Sequence, residues 1–407
     1  MRWLIVEDSL ADGKGHWFEY LAAFHRELPR LGDEVVWLVP QNAGSEVCNH
    51  FGARPVLPES AFRKMSDGAP AWRRYLRVPV HALRTYRAMK NYLRRGEKYD
   101  VIFIPTVLVH HLLGWTWLIK RVLKKSAARI LLFFPNTPVQ LDLKTNEPSW
   151  QPAPTAKLFR RLIRSLENEV KQGSVILGAE THPMREALTR LTGVSFTYFP
   201  HPVCCEKAAT SHQVAGRRSQ VSDSLTFGSY GSARHEKGSD ILVAAVDEYC
   251  RRYPDSRAQF VLQSADGDAK LWERLRENPK VQLIPNYFAD GEYARQLAMT
   301  DVLLLPYRRS SYGLRVSRVV IEAMVQGIPV VTTRGTTLEE QAKEFGAALL
   351  SEDNDVASLV TAIQQQEETF PIHRKQAEQQ GMKARNHFCI SMFRCILNET
   401  TSRFRKE

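Results

Sequence analysis

The sequence predicts an α/β chain built as two doubly wound parallel-sheet domains, and three observations carry that expectation. Its 407 residues exceed what one hydrophobic core usually supports. Short, wholly apolar runs alternate with amphipathic helical stretches, the pattern of strands buried on both faces and joined by crossover helices. Between Phe199 and Ser224 the periodicity stops and Ser, Gln, Ala and basic residues take over, which divides two such series by a linker. With 43% apolar and 25% charged residues, global disorder is excluded.

The first series opens with Trp3-Leu-Ile-Val6 as a buried strand, then a polar, glycine-bearing loop from Glu7 to Gly15, then a helix from His16 to about Leu31 that Gly32 stops. Glu34-Val-Val-Trp-Leu-Val39 returns as a strand and completes a βαβ unit. Val101–Ile104, Ile130–Phe134 and Ser174–Leu177 extend the sheet of a domain spanning 1–200, followed by a linker at 201–224. The second domain, 225–381, draws its strands from Leu225–Gly228, Gln259–Leu262, Val281–Ile284, Val302–Leu305 and Pro329–Thr332. A last stretch, 382–407, reads as a helix able to pack across both domains.

No apolar run reaches the length of a membrane span, and the apolar N-terminal run meets Glu7 and Asp8 too early for a signal peptide. A cytoplasmic protein is expected. Cys48, Cys204, Cys205, Cys250, Cys389 and Cys395 show no CxxC spacing and are expected to be reduced. The net charge of +12 is lopsided: residues 1–200 carry 29 Lys and Arg against 18 Asp and Glu, a balance of +11, and the remainder carries +1. A positive field on the first domain attracts an anionic partner such as a lipid diphosphate or an anionic membrane surface. Nucleic acid is not expected, because no binding module accompanies the charge.

The strongest chemical signal begins at Gly228, where a strand runs into Ser-Tyr-Gly-Ser-Ala-Arg-His-Glu-Lys-Gly and then a helix from about Ser239. A helix N-terminus directs backbone N–H groups and the positive end of its dipole at one point, and Arg234 and Lys237 add full charge there. Gly231 and Gly238 admit a phosphate close to the backbone. The segment reads as an anion site or as an ordinary polar βα loop. The second signal is Asp301-Val-Leu-Leu-Leu-Pro-Tyr307, then Tyr312, Arg315 and Ser317, then Val319-Val-Ile-Glu322-Ala-Met-Val-Gln-Gly327-Ile-Pro329-Val-Val.

Together these segments resemble the retaining GT-B glycosyltransferases of family four, over roughly residues 225–345. The resemblance implies two Rossmann-like domains facing across a cleft, and transfer of a sugar from a nucleotide-diphosphate sugar to an acceptor hydroxyl with retention, in polysaccharide or glycolipid assembly. By position, Arg234 and Lys237 match the basic pair on the pyrophosphate, and Glu322 the carboxylate that binds the nucleotide ribose. Gly231, Tyr312, Arg315 and Ser317 join them as donor-binding residues. The earlier acidic residue of the family, eight positions before that glutamate, is Leu314 here, and the Tyr-x-x-Arg-x-Ser pattern resembles a subgroup without it. In the first domain, Asp12-Gly-Lys-Gly-His16 occupies a loop that approaches donor and acceptor in the family, which makes Gly13 and Gly15 donor-binding candidates and His16 a catalytic candidate beside Arg234 and Lys237. The other reading is a flexible turn with a histidine at the helix start. Where many relatives carry a histidine near the reacting sugar, this chain reads Pro135-Asn136-Thr137, and Asn136 cannot act as a general base.

No cofactor or metal is required by this reading, because fixed positive charge stabilises the departing diphosphate. Asp266-Gly-Asp268 spells a metal-binding DxD but reads as a turn, and His110 and His111 read as packing or solvent histidines. Between Trp72 and Arg95, Trp72, Tyr75, Leu76, Leu83, Tyr86, Met89 and Leu93 recur at helical spacing against Arg73, Arg77, Arg84, Arg87, Arg94 and Arg95. Such a helix lies on an anionic bilayer or simply exposes a solvated basic face. Two other functions share the fold: a sugar-nucleotide epimerase, and a nucleotide-sugar-binding protein without activity.

Overall fold

The structure is a computed structural model that describes residues 1–12, 16–59, 71–124, 126–203, 224–288 and 291–404, with backbone only for 16, 17, 71–76 and 401–404. Gly13, Gly15 and most of the linker at 201–224 therefore lie outside the described residues. The chain divides into two compact units: Met1–Gln140, Glu147–Pro202 and Ile390–Glu407 form one, and Leu141–Asn146 with Val203–Cys389 form the other.

In the first unit the described strands are β1 (Arg2–Val6), β2 (Glu34–Pro40), β3 (Arg54–Leu57), β4 (Val101–Ile104), β5 (Arg129–Phe133), a short pair β6 (Val139–Asp142, of which Val139 and Gln140 belong to this unit) and β7 (Glu147–Trp150), then β8 (Val175–Ala179) and β9 (Thr197–Tyr198). Apart from β6 and β7 they form one parallel sheet in the order β3-β2-β1-β4-β5-β8-β9. The second unit holds β10 (Leu225–Ser229), β11 (Ala258–Gln263), β12 (Val281–Ile284), β13 (Val302–Leu305), β14 (Val330–Thr333) and β15 (Ala348–Ser351), parallel in the order β12-β11-β10-β13-β14-β15. Both sheets are wound outward from their centres, so each has one point where strand order reverses: β1/β4 and β10/β13. Ligands of open parallel sheets bind outside the strand carboxyl ends at such points.

The apolar runs have the physical cause the pattern suggests. On β13, Leu303 and Leu305 pack into one cluster with Val320, Ile321 and Val330, while Val302 and Leu304 pack into another with Phe227, Val246 and Val331. Successive side chains of a strand point to opposite faces, so a strand covered on both faces must be apolar throughout. The first unit is centred on aromatic rings: Phe24, Phe103, Phe133 and Phe199 all meet Phe393, with centroids 4.7–5.9 Å away.

Phe393 comes from the C-terminal end, where the structure departs from the sequence reading. Instead of one helix from 382 across both domains, a long helix Val356–His387 ends at Phe388, and a separate helix Ile390–Phe404 belongs to the first unit. That last helix is tied down by Asp33, whose buried carboxylate accepts hydrogen bonds from Arg394 Nε (2.8 Å) and Nη2 (3.0 Å) and from Trp3 Nε1 (3.0 Å). Burial opposes the charge of Asp33, but Arg394, the amino group of Met1 (2.6 Å) and Trp3 together outweigh it and hold the pKa below the usual carboxylate value. A depressed carboxylate contributes stability that is present above its unfolded pKa and lost as pH falls through the folded one. Asp33→Asn should lower unfolding stability in urea by about 2 kcal/mol at pH 7. That deficit should vanish when the titration is repeated in acid below the carboxylate range.

Candidate functional site

At the β10/β13 reversal the chain makes a turn that only glycine permits. After β10, residues His235–Lys237 form one turn of 3-10 helix, Gly238 adopts φ 67°, and the helix Ser239–Arg252 begins. A Cβ on Gly238 would sit 2.0 Å from the Pro306 carbonyl oxygen, so two loops from neighbouring strands close on each other there. Gly231, at φ 96°, donates its N–H to Gln263 Oε1 (2.6 Å), and a Cβ on it would lie 2.6 Å from Lys237 Nζ. Lys237 Nζ also stands 5.6 Å from the centre of the Tyr307 ring.

Burial first, and the charge of Arg234 second, push the Lys237 pKa down to about 8. Arg234 itself is exposed and pairs with Glu236 (3.1 Å). Asp240, in the first turn of the helix, would repel an anion, but Arg308 neutralises it through Nη2 at 2.7 and 2.5 Å while Arg308 Nε donates to the His235 carbonyl (2.9 Å). The turn therefore gathers a half-buried ammonium, an exposed guanidinium and a helix N-terminus: the elements of an anion site.

The loop after β13 supplies the neighbouring wall. The Tyr307 and Tyr312 rings lie 4.5 Å apart, and both are buried. Burial raises the Tyr312 pKa, while Arg234 and Arg315 oppose the rise, so both guanidiniums lie near that phenol. Arg315 is exposed, Ser317 is buried at the start of the helix Arg318–Gln326, and the Thr337 hydroxyl donates to the carbonyls of Tyr312 (3.1 Å) and Arg315. Glu322 accepts from the Tyr293 hydroxyl (2.6 Å) and from Arg318 Nε (2.8 Å), so a ribose hydroxyl would share or displace one of these donors. Neither Tyr293 nor Arg318 was among the candidates read from the sequence. Leu314, standing in place of the family's earlier acid, is buried.

The Asp-Gly-Asp segment is structural. Asp266 sits at φ 60° and accepts from Ser232 Oγ (2.8 Å) and the Tyr287 hydroxyl, and Asp268 caps the helix Ala269–Trp272 through Lys270 N (3.0 Å).

In the first unit, His16 begins the helix His16–Arg30, and its side chain lies outside the described residues. Asn136 is exposed after β5. The charged groups gathered at the carboxyl ends of the strands are ones the sequence reading passed over. Glu7, directly after β1, is pushed up to about pKa 7 by burial and then by Asp8, although Ser9 donates to it from N (2.9 Å) and Oγ (2.5 Å). Glu180, just past β8, meets His201 Nδ1 at 2.6 Å, and the His201 ring lies 4.8 Å from that of Tyr20. A signal existed: buried strands that run straight into an acidic residue, as Val6-Glu7 and Ala179-Glu180 do. His110 and His111 are not solvent histidines; both are buried, and His111 Nε2 lies 2.7 Å from Asp8. On the basic helix, now Ala71–Leu93, Leu83 is exposed beside exposed Val80, Arg84 and Arg87.

Residues 224–367 match the family model described as glycosyl transferases group 1, and the anion turn, Tyr312, Arg315, Ser317 and Glu322 all fall within the match. A GDP-mannose-dependent alpha-(1-6)-phosphatidylinositol monomannoside mannosyltransferase of Mycolicibacterium smegmatis is 29% identical over 136 residues, 31% of this chain and 34% of that protein. The chain thus spans about a third of the length of this curated relative. Three solved structures are similar over nearly the whole chain: a glycosyltransferase from Rickettsia africae (TM-score 0.65, 12% identity, 100% of this chain and 98% of that one), the sucrose-phosphate synthase of Thermosynechococcus elongatus (0.64, 16%, 100% and 98%), and Anabaena HepE in complex with UDP-glucose (0.64, 13%, 99% and 100%). The two parallel α/β units therefore have the GT-B fold.

An ammonium with a pKa near 8 carries its charge below that pH, and a bound anion raises its pKa further. Pyrophosphate should accordingly bind at full strength below pH 8 and lose affinity as pH rises through 8 to 9. Calorimetric titration across this range should show the inflection in the native chain and a flat profile in Lys237→Arg, whose guanidinium stays charged.

Proposed function

We propose that the chain is a retaining glycosyltransferase of family four that takes a sugar from a nucleotide-diphosphate donor and delivers it to an acceptor hydroxyl in polysaccharide or glycolipid assembly. The observation that carries this reading is the Lys237 turn: a half-buried ammonium beside Arg234, at the strand-order reversal of the unit that matches glycosyl transferases group 1. As the bond from the anomeric carbon to the diphosphate breaks, negative charge grows on the phosphate oxygen. Lys237, Arg234 and the N-terminus of the helix Ser239–Arg252 are preorganised to stabilise it without a metal ion on the phosphates. Glu322 holds the ribose, and Gly231 lets the phosphate reach the backbone. Tyr312, Arg315 and Ser317 line the donor side, and the family resemblance adds Gly13 and Gly15 as donor-binding residues and His16 as a catalytic one. Anabaena HepE is solved in complex with UDP-glucose and the mycobacterial relative is GDP-mannose-dependent, which supports a nucleotide-sugar donor.

The acceptor side is assigned to the first domain, in the cytoplasm and at the inner membrane face. Its balance of +11, and the exposed Val80 and Leu83 beside Arg84 and Arg87, support docking on an anionic lipid surface. Among the described residues no helix is long and apolar enough to cross a membrane.

UDP or GDP should raise the melting temperature, and Lys237→Ala and Arg234→Ala should each lose most of that rise. Glu322→Gln should weaken the nucleotide more than free pyrophosphate; equal losses would remove Glu322 from the ribose. Incubation with donor alone separates the competing activities, since an epimerase converts the sugar nucleotide without an acceptor and a binding protein leaves it unchanged.

Liposomes containing anionic lipid should sediment the protein at low salt and release it as salt rises. Charge reversal at Arg84, Arg87, Arg94 and Arg95 should abolish sedimentation while leaving the nucleotide shift intact. Sedimentation of that variant like wild type would reduce the helix to a solvated face.

A further inference from the structure

The first unit holds a second constellation, independent of the donor reading. His81, on the helix Ala71–Leu93, and His110 and His111, on the helix Val109–Leu118, are all buried, and one ring nitrogen of each lies within 4.8 Å of the others. Their rings form a compact triangle, with centroids 3.9 Å apart for His110 and His111 and 5.4 Å for His81 to either. Asp8 closes the cluster from the end of β1, its Oδ2 2.7 Å from His111 Nε2 and 3.4 Å from His81 Nε2.

Packing alone leaves this cluster poorly satisfied. His110 Nε2 is buried and makes no hydrogen bond, and Asp8 Oδ2 alone faces both His111 Nε2 and His81 Nε2. Each orphaned buried polar atom costs about 1–3 kcal/mol. Three imidazoles and one carboxylate converging in a buried site are a donor set that a single cation satisfies at once.

The frame is also rigid. A Cβ on Gly114 would stand 2.9 Å from the Ala82 carbonyl oxygen, so the two histidine-bearing helices touch backbone to backbone one residue from His81. His111 Nδ1 lies 3.1 Å from the Thr106 carbonyl and 3.2 Å from the Leu108 backbone nitrogen; in the tautomer whose Nδ1–H points at the Thr106 carbonyl, the Nε2 lone pair is free for a ligand bond. Zinc–nitrogen bonds of about 2.0–2.1 Å bring three nitrogens to roughly 3.3 Å of one another, a contraction within reach of side-chain rotation.

We propose that His81, His110 and His111, with Asp8 as the fourth ligand, form a binding site for one divalent transition-metal ion, zinc foremost. Borderline-soft ions favour imidazole over the all-oxygen sets that suit magnesium and calcium. Bound there, the ion fixes the first residues after β1 against the two helices.

The test uses the full chain without a histidine tag, stripped with chelator and dialysed against zinc or cobalt. Mass-spectrometric metal analysis should find one zinc per chain, and the cobalt form should show the visible absorption of a four-coordinate ion. His110→Ala and His111→Ala should each weaken zinc binding at least about tenfold in competition with a chromophoric chelator. His110→Cys keeps a ligand at that position, and its cobalt form should gain a thiolate charge-transfer band. This outcome does not depend on the alanine variants folding. Substoichiometric zinc in the wild-type chain, full zinc affinity in folded alanine variants, or a cysteine variant that holds cobalt without the thiolate band would each overturn the assignment.

Discussion

The contact of Gly238 with the Pro306 carbonyl is the constraint on which the Lys237 turn depends. It joins the loop after β10 to the loop after β13, at the one place in that sheet where adjacent strands send their crossovers to opposite sides. With no room for a side chain at Gly238, the left-handed turn is fixed, and the turn in turn fixes where Lys237 emerges: over the Tyr307 ring and against the Gly231 backbone. Backbone geometry, not side-chain reach, sets the position of the charge. A flexible ammonium held in this way loses little freedom when an anion arrives, and preorganisation of that kind is what electrostatic stabilisation of a developing charge requires.

The two units handle charge in opposite ways. In the second, cations prevail near the switch point and the nearby acids are neutralised in place, Asp240 by Arg308 and Glu236 by Arg234. In the first, carboxylates prevail at the strand ends despite the unit's large positive balance. Burial raises Glu7, whereas for Asp8 the imidazoles of His111 and His81 overcome burial and hold its pKa well below the usual carboxylate range. The excess of Lys and Arg sits on exposed faces, such as that of Arg84 and Arg87 on the helix Ala71–Leu93, while buried His81 of the same helix faces Asp8. Net charge thus describes what the unit attracts from a distance, and says nothing of the chemistry at its strand ends.

The α/β class was legible because strands such as Val302–Leu305 and Val101–Ile104 are covered on both faces and so must be apolar without interruption. The Lys237 turn was legible for a similar reason: glycine at a left-handed position and basic residues before a helix are local demands, written within ten residues. What stayed hidden is long-range. Tyr293 reaches Glu322 across 29 residues, Asp8 meets His81 and His111 across more than 70, and Glu180 meets His201 across 21. None of these partners carries a spacing that periodicity can register, since the sheet order alone brings them together. His110 and His111 could be assigned only a generic role until the helix bearing His81 was seen against them.

The first unit is discontinuous in the chain, and this bears on how it is made. Ile390, Phe393 and Leu397 belong to the aromatic core that also contains Trp3 and Phe24. A chain emerging from the ribosome therefore releases the whole second unit before it releases the last ring of the first core. Until then Phe24, Phe103, Phe133 and Phe199 surround a space that residue 393 has yet to occupy. The unit whose synthesis starts first is completed last, and during that interval it exposes the kind of apolar surface on which chaperones act.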